Sequence, residues 1–300
     1  MSMGRTNDRK PAGASGRGRP DVSVRDQGSE DDVAAGGTVE SRLPTVRRLE
    51  ALGFRAWPAA SARYDGSWLV RLTAGHPSRR LNSVNPLDRM DVTDLEGRIA
   101  RLERRFAAYD RPLTFRQTPL APPELDAHFD AHGWGREGET LVMSADAQDL
   151  PVADALDLLP VQDVGRFVDA AIEVRPRDRA SKSGLTELVN AITPAKGLFV
   201  LAEGDAALAT ALCVHDGDHA GLFEVAVHAD ARGRSLGRRI AAAALKWAVS
   251  RGAGKCWLQV EADNAPALAL YAGLGFQETY RYHYRAAPGG DGLDPAEELV

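Results

Sequence analysis

Three apolar runs, 197–202, 206–214 and 221–227, are joined by short segments that hold Glu203-Gly204-Asp205 and Asp216-Gly217-Asp218. Short glycine-containing loops between apolar runs signal hairpins, so the spacing predicts an antiparallel meander. The third run leaves through His228-Ala229-Asp230 and enters an arginine- and glycine-rich turn. An alanine-rich segment follows whose apolar set Leu236, Ile240, Ala244 and Trp247 recurs at helical spacing to about Ser250. A strand at 255–260, a helix at 265–272 and a closing strand at 280–285 complete this half. A meander that runs on into strand–helix–strand predicts a mixed α/β fold, with a central, mostly antiparallel sheet flanked by helices.

The first half carries a comparable alternation. Helices are expected at 45–52 and 123–131, and strands at 67–73, 79–84, 113–118 and 139–144. Leu95, Ile99, Leu102 and Phe106 mark an amphipathic helix between them. Residues 145–160 hold turn signals and lead to helical segments at 161–174 and 184–192. There is also an internal echo: Phe129-Asp130-Ala131-His132-Gly133-Trp134 matches Tyr271-Ala272-Gly273-Leu274-Gly275-Phe276 in its aromatic and glycine positions. Each copy follows a strand and a short helix and precedes another strand, as expected of two copies of one fold. The expected layout is a disordered tail at 1–38, a first domain at 39–147, a second at 148–286 and a loose acidic tail at 287–300.

The chain of 300 residues is 44% hydrophobic, enough for a sizeable core, and its net charge of -5 argues against non-specific nucleic-acid binding. Membrane association is not expected, because no apolar run approaches the roughly 20 residues of a span. The first residues lack the apolar core of a secretory signal. Cys213 and Cys256, the only cysteines, sit inside apolar runs and read as buried thiols of a reducing compartment. A cytoplasmic protein without a metal is therefore expected, a monomer being compatible with the sequence.

The turn at 228–239 carries the chemistry. A strand that passes through a glycine-containing loop into a helix gathers uncommitted N–H groups at the positive end of the helix dipole, which is an anion site. Arg232, Arg234, Arg238 and Arg239 surround it. They oppose the dipole when it is empty and become favourable beside a polyphosphate.

In order and spacing, residues 221–285 resemble the core of the GNAT (GCN5-related N-acetyltransferase) superfamily. The loop Arg232-Gly233-Arg234-Ser235-Leu236-Gly237 resembles that family's Arg/Gln-x-x-Gly-x-Gly/Ala loop, with Ser235 where the family prefers glycine. Asn264, Ala267 and Tyr271 match its downstream Asn-x-x-Ala-x-x-x-Tyr, and Leu274-Gly275-Phe276 its ending. The resemblance implies a three-layer fold, here as two tandem copies, and acetyl-CoA as co-substrate. Val225, Ala226 and Val227 would pair with the pantetheine arm. The loop 232–237 with Arg238 and Arg239 would hold the pyrophosphate, Asn264 would cap the next helix and face the cofactor, and Tyr271 would be the general acid. The base is Glu224, Glu261 or His228; Glu224 leads as an acid within an apolar strand, where an unpaired carboxylate is costly. The alternation of Tyr280-Arg281-Tyr282-His283-Tyr284 puts one set toward an acceptor pocket or plain sheet packing. The first half has no glycine in the corresponding loop and Pro122 at the Asn264 counterpart, so it resembles a degenerate copy. The expected activity is acetyl transfer to a primary amine of a small molecule or protein. Alternatives are an acyl-CoA-binding sensor without turnover, or a tandem enzyme similar to mycothiol synthase acting on a cysteinyl-sugar amine.

Overall fold

The computed structural model describes residues 39–175 and 181–288. The tail expected at 1–38 and nearly all of that at 287–300 lie outside the described residues. The first half runs α1 (Val39–Ala56), β1 (Ser61–Asp65), β2 (Trp68–Leu72), β3 (Ser83–Pro86), α2 (Leu95–Ala107), β4 (Thr114–Gln117), α3 (Pro123–Ala131) and β5 (Gly135–Asp146). The second runs α4 (Val164–Val174), α5 (Ser181–Ala191), β6 (Ala195–Glu203), β7 (Ala206–Asp216), β8 (His219–Val227), α6 (Leu236–Ser250), β9 (Lys255–Glu261), α7 (Ala265–Gly273) and β10 (Gln277–Ala286).

All ten strands form one sheet in the order β1-β2-β3-β4-β10-β5-β9-β8-β7-β6. The pairs β3–β4 and β8–β9 are parallel and the rest antiparallel. The order is symmetric about its centre: the last strand of each half lies against the other half, β10 on β4 and β5 on β9. Three layers result. Helices α1, α4 and α5 pack on one sheet face through Leu49, Phe167 and Leu188. On the other face α6 and α7 form one cluster, with Ile240 and Tyr271 beside Leu141 and Met143 of β5. A separate cluster there joins α2 and α3 to β2 and β4 through Phe106, Phe129, Trp68 and Phe115.

Two local readings change. The strand expected at 79–84 begins at Ser83, and Arg79–Leu81 is a 3-10 turn. The Asn82 side chain accepts the Thr73 N–H (2.8 Å) and donates to the carbonyls of His76 (2.7 Å) and Ser78 (3.0 Å), so local hydrogen bonds displace the ladder. Strand β1 gave no alternation signal because it is a largely exposed edge strand, folded back on β2 across Gly66 at φ 59°. Both cysteines are buried and unlinked in the α6–α7 core.

Candidate active site

Parallel pairing of β8 with β9 runs from His219–Lys255 to Leu222–Leu258 and stops there, although the strands continue to Val227 and Glu261. A bulge in β8 accompanies the parting: Phe223 faces Leu212 and Ala226 faces Thr210, so Glu224 and Val225 together oppose one residue of β7. Glu224 takes φ 50°, a left-handed backbone that costs an L-residue roughly 1–2 kcal/mol. Bulges bend a strand and end its pairing, and this one turns β8 away from β9. The Glu224 residue is 5% exposed, while Val225, Ala226 and Val227 are half-buried along the opening.

The turn beyond β8 gathers backbone N–H groups at the start of α6. His228 Nδ1 accepts the Asp230 N–H (3.3 Å), which fixes the start of the loop. Gly233 (φ 75°) and Ser235 (φ 56°, ψ 19°) are left-handed. Left-handed residues alternating with ordinary ones turn successive N–H groups into one concavity. Arg239 N–H reaches back to Ser235 O (3.1 Å), and the N–H groups of Leu236, Gly237 and Arg238 belong to the first turn, which has no intrahelical acceptor. Gly237 has a packing reason. A Cβ there would lie 3.1 Å from Leu270 Cδ1 and 3.4 Å from Val227 Cγ2, so the helix start presses on α7 and on the end of β8. The loop therefore closes the mouth of the β8–β9 opening. Of the four arginines, Arg238 donates to Gly273 O (3.0 Å) and Arg234 pairs with Glu203 (3.3 Å). Arg232 and Arg239 are exposed, without a side-chain ion pair among the described residues.

Tyr271, on the last turns of α7, is 1% exposed with its ring 6.0 Å from Phe276. Burial pushes its phenol well above the usual tyrosine range, and the nearby Arg175 guanidinium pulls the other way. The proton stays on at neutral pH. Arg175 also donates to Val225 O (3.5 Å), linking the end of α4 to the parted strand and to the tyrosine. Sequence reasoning passed over Arg175, which stands at a helix end, outside every motif quoted for the second half. Asn264 caps α7, its Oδ1 accepting the Ala267 N–H (3.1 Å). Glu261 ends β9 half-buried, one strand across from Glu224.

The internal echo is one helix-ending motif used twice. Trp134 N–H donates to Phe129 O and Phe276 N–H to Tyr271 O, both at 3.0 Å, across the left-handed glycines Gly133 and Gly275. In the first half, however, Pro122 starts α3 with no side-chain cap bond, and Phe129 packs against Phe115 and Trp134 without a hydroxyl. On β10 the tyrosines turn toward α1, while Arg281 and His283 line a cavity of about 290 Å³ with Gln117, Asp126, Arg136 and Glu139. That cavity includes no residue of β8, β9 or α6, so it is separate from the opening.

Residues 44–285 match the family described as probable histone acetyltransferase Rv0428c C-terminal. The chain belongs to this family. It is 24% identical over 257 residues to the uncharacterized N-acetyltransferase YobR of Bacillus subtilis, covering 81% of this chain and 99% of that relative. Among solved structures, a GCN5-related N-acetyltransferase from Kribbella flavida superposes with a TM-score of 0.60 at 17% identity, covering 85% of this chain and 98% of that one. A tandem GNAT protein from the clavulanic acid biosynthesis pathway superposes at 0.54 and 17% identity, covering 80% and 87%. The fold is therefore the GNAT fold in tandem form, and the chain is an acetyltransferase of GNAT type.

Proposed function

We propose that this acetyltransferase moves an acetyl group from acetyl-CoA to a primary amine in a single working site, at the β8–β9 opening of the second half. The observation that carries the proposal is the parting of β8 from β9 after Leu222–Leu258, with an anion-shaped turn at its mouth and a buried phenol beside it. The residues fit the co-substrate. The edge of Val225, Ala226 and Val227 that has parted from β9 suits an amide-bearing arm, as a strand would add to a sheet edge. The N–H groups of Gly233 to Arg238, with Arg232 and Arg239, suit a pyrophosphate. Asn264 serves as cap and borders the same end of β9.

Bound there, acetyl-CoA supplies the activated acetyl thioester. The chain supplies proton management. Glu224, with Glu261 or a water as the other candidates, takes a proton from the acceptor ammonium so that a neutral amine attacks. Tyr271 gives its phenolic proton to the departing sulfur, and burial keeps that proton in place until a strongly basic partner appears. The new bond is C–N and the broken bond is C–S; of the two protons the ammonium loses, the first leaves through the base to solvent before attack, and the second, lost from the nitrogen after attack, replaces the one given up by the phenol. The first half, divided from the second near residues 147–148, buttresses the site and lacks the turn.

Isothermal titration with acetyl-CoA, followed by thiol release with a panel of amines, tests the reading. Saturable binding and amine-dependent thiol release are expected. Absence of binding refutes it.

A further inference from the structure

Halfway along β10 the sheet carries a second bulge. Tyr282 faces Thr140 and Tyr284 faces Glu137, so Gly138 (φ 60°) and Glu139 together oppose His283. Bulges re-aim the side chains beside them. Across β10 from this bulge, His283 is the register partner of Gln117, the last residue of β4. Glu139, His283 and Gln117 thereby meet around the cavity of about 290 Å³, with Asp126 of α3 at its side. Gln117 is 5% exposed, and its Nε2 has no hydrogen-bond partner among the described residues. A buried amide without a protein partner is costly, and a group placed in the cavity removes that cost.

The cavity is rich in acceptors and poor in donors. Asp126 gives one oxygen, Oδ1, to both Arg285 Nε (2.7 Å) and His283 Nε2 (3.4 Å), and Glu139 gives Oε1 to Arg281 Nη1 (2.9 Å). The second oxygen of each carboxylate has no protein partner among the described residues. The nearby donors are already used. Arg281 grips Glu278 through Nε (2.7 Å) and Nη2 (2.8 Å), and Arg285 also donates to Asp130 (2.5 Å) and to Trp134 O (3.3 Å). Pro119, Pro122 and Pro123, which have no N–H, form an apolar wall. The hydrogen bond from Arg281 holds Glu139 below the usual carboxylate range; burial pushes Asp126 up, but Arg285 outweighs it, so both are anions at neutral pH. Burial first, and Arg136 second, hold the His283 imidazole below its ordinary range against the pull of Asp126, so it is neutral there. With its Nε2 proton toward Asp126, its Nδ1 keeps a lone pair. Asp126, Asp130, Glu139 and Glu278 are countered by Arg136, Arg281 and Arg285 alone, and the surplus negative charge selects against an anion.

We infer that this cavity is a binding site in its own right, and that it takes an organic ammonium, the cation of a primary or secondary amine. The ammonium N–H groups are received by Glu139, Asp126 and the His283 ring, while the apolar body lies on the proline wall. The Gln117 amide presents its oxygen or, after half a turn, its N–H groups, and so serves a donor or an acceptor on the ligand. The volume stands at the lower end of small-ligand cavities, which suits a single ring or a short chain. Strand β4, helix α3 and strand β5 come from the first half and β10 from the second, so the bound cation touches both. The site is apart from the β8–β9 opening, and the inference does not rest on the acetyl-transfer reading.

Isothermal titration of the full chain with benzylamine, benzamide and benzoate, without acetyl-CoA, compares three probes of similar size and different charge. Benzylamine is expected to bind about tenfold tighter than benzamide, the scale of one charge-assisted hydrogen bond, and benzoate the least. Glu139→Gln removes one charge and is expected to weaken benzylamine binding about tenfold. Gln117→Met keeps the volume, removes the amide, and is expected to weaken it about threefold. Lowering the pH from about 8 to about 5.5 is expected to weaken binding as well, because His283 then takes up a proton beside the ammonium while Asp126 and Glu139 stay ionised. Thermal melts establish that each variant is folded; should Glu139→Gln not fold, Gln117→Met and the pH series decide. Benzamide or benzoate binding as tightly as benzylamine overturns the inference. So does benzylamine affinity that is unchanged in a folded variant, or that rises toward pH 5.5.

Discussion

Replacing Ser235 with glycine separates folding strain from binding strain in the turn. The residue sits at φ 56°, ψ 19°, and its hydroxyl makes no capping bond to α6. Left-handed backbone costs serine roughly 1–2 kcal/mol, and glycine almost nothing. Glycine also widens the unfolded ensemble, which returns about 0.5–1 kcal/mol of the relief. The net gain is then about 0.5–1 kcal/mol of stability, or about 1–4 °C in Tm for a domain of this size. A left-handed residue that is part of the turn's own fold bears its strain on folding. Acetyl-CoA affinity should accordingly stay within about twofold. Denaturation melts and isothermal titration on Ser235→Gly and Ser235→Ala read both quantities. Alanine keeps the strain and glycine removes it, while both lack the hydroxyl. A tenfold tightening in the glycine variant alone would show that the turn reorganises on binding and refute the preformed site. A shared tenfold loss would show that the hydroxyl contacts phosphate.

Tyr271→Phe should lower turnover on the order of 100-fold, the usual range for a lost general acid, while calorimetric acetyl-CoA affinity changes less than about threefold. Asn264→Ala should cost about 1 kcal/mol in chemical denaturation through the lost cap, and should weaken acetyl-CoA binding as well if the residue faces the co-substrate. Stability should fall as pH rises past about 8.5. Burial raises Cys213 well above its ordinary value and Cys256 to about 12, so only the unfolded chain releases these protons. Each thiol then removes about 1.4 kcal/mol of stability per pH unit above its unfolded pKa. Cys256→Ala should flatten the slope of urea-derived stability against pH by about one proton between pH 9 and 10.5; an unchanged slope would contradict the burial argument.

Much of the second half was legible because its signals are local. Glycine loops set the hairpins, the run 232–237 set the turn, and Asn264 before Pro266 set the start of α7. The symmetric pairing of β5 with β9 and of β10 with β4 was not, because residues more than a hundred positions apart meet and no local pattern encodes that choice. The bulge at Glu224 was hidden for a related reason: a carboxylate in an apolar run announces an exception without saying that the backbone, too, is exceptional there. The contact of Arg175 with β8 emerges only when the end of α4 folds back on that strand, fifty residues further along the chain.

The symmetric centre of the sheet also bears on how such a chain evolves. A second copy of a fold that carries no site of its own would ordinarily be free to erode. Here the first half owns β5, the neighbour of β9, which forms one wall of the β8–β9 opening. The second half in turn lends β10 to β4. Deleting the silent half would leave β9 as a bare edge and strip Leu141 and Met143 from the core under α6 and α7. Each half thus depends on the other for a paired strand edge, and neither can be shed alone without exposing one.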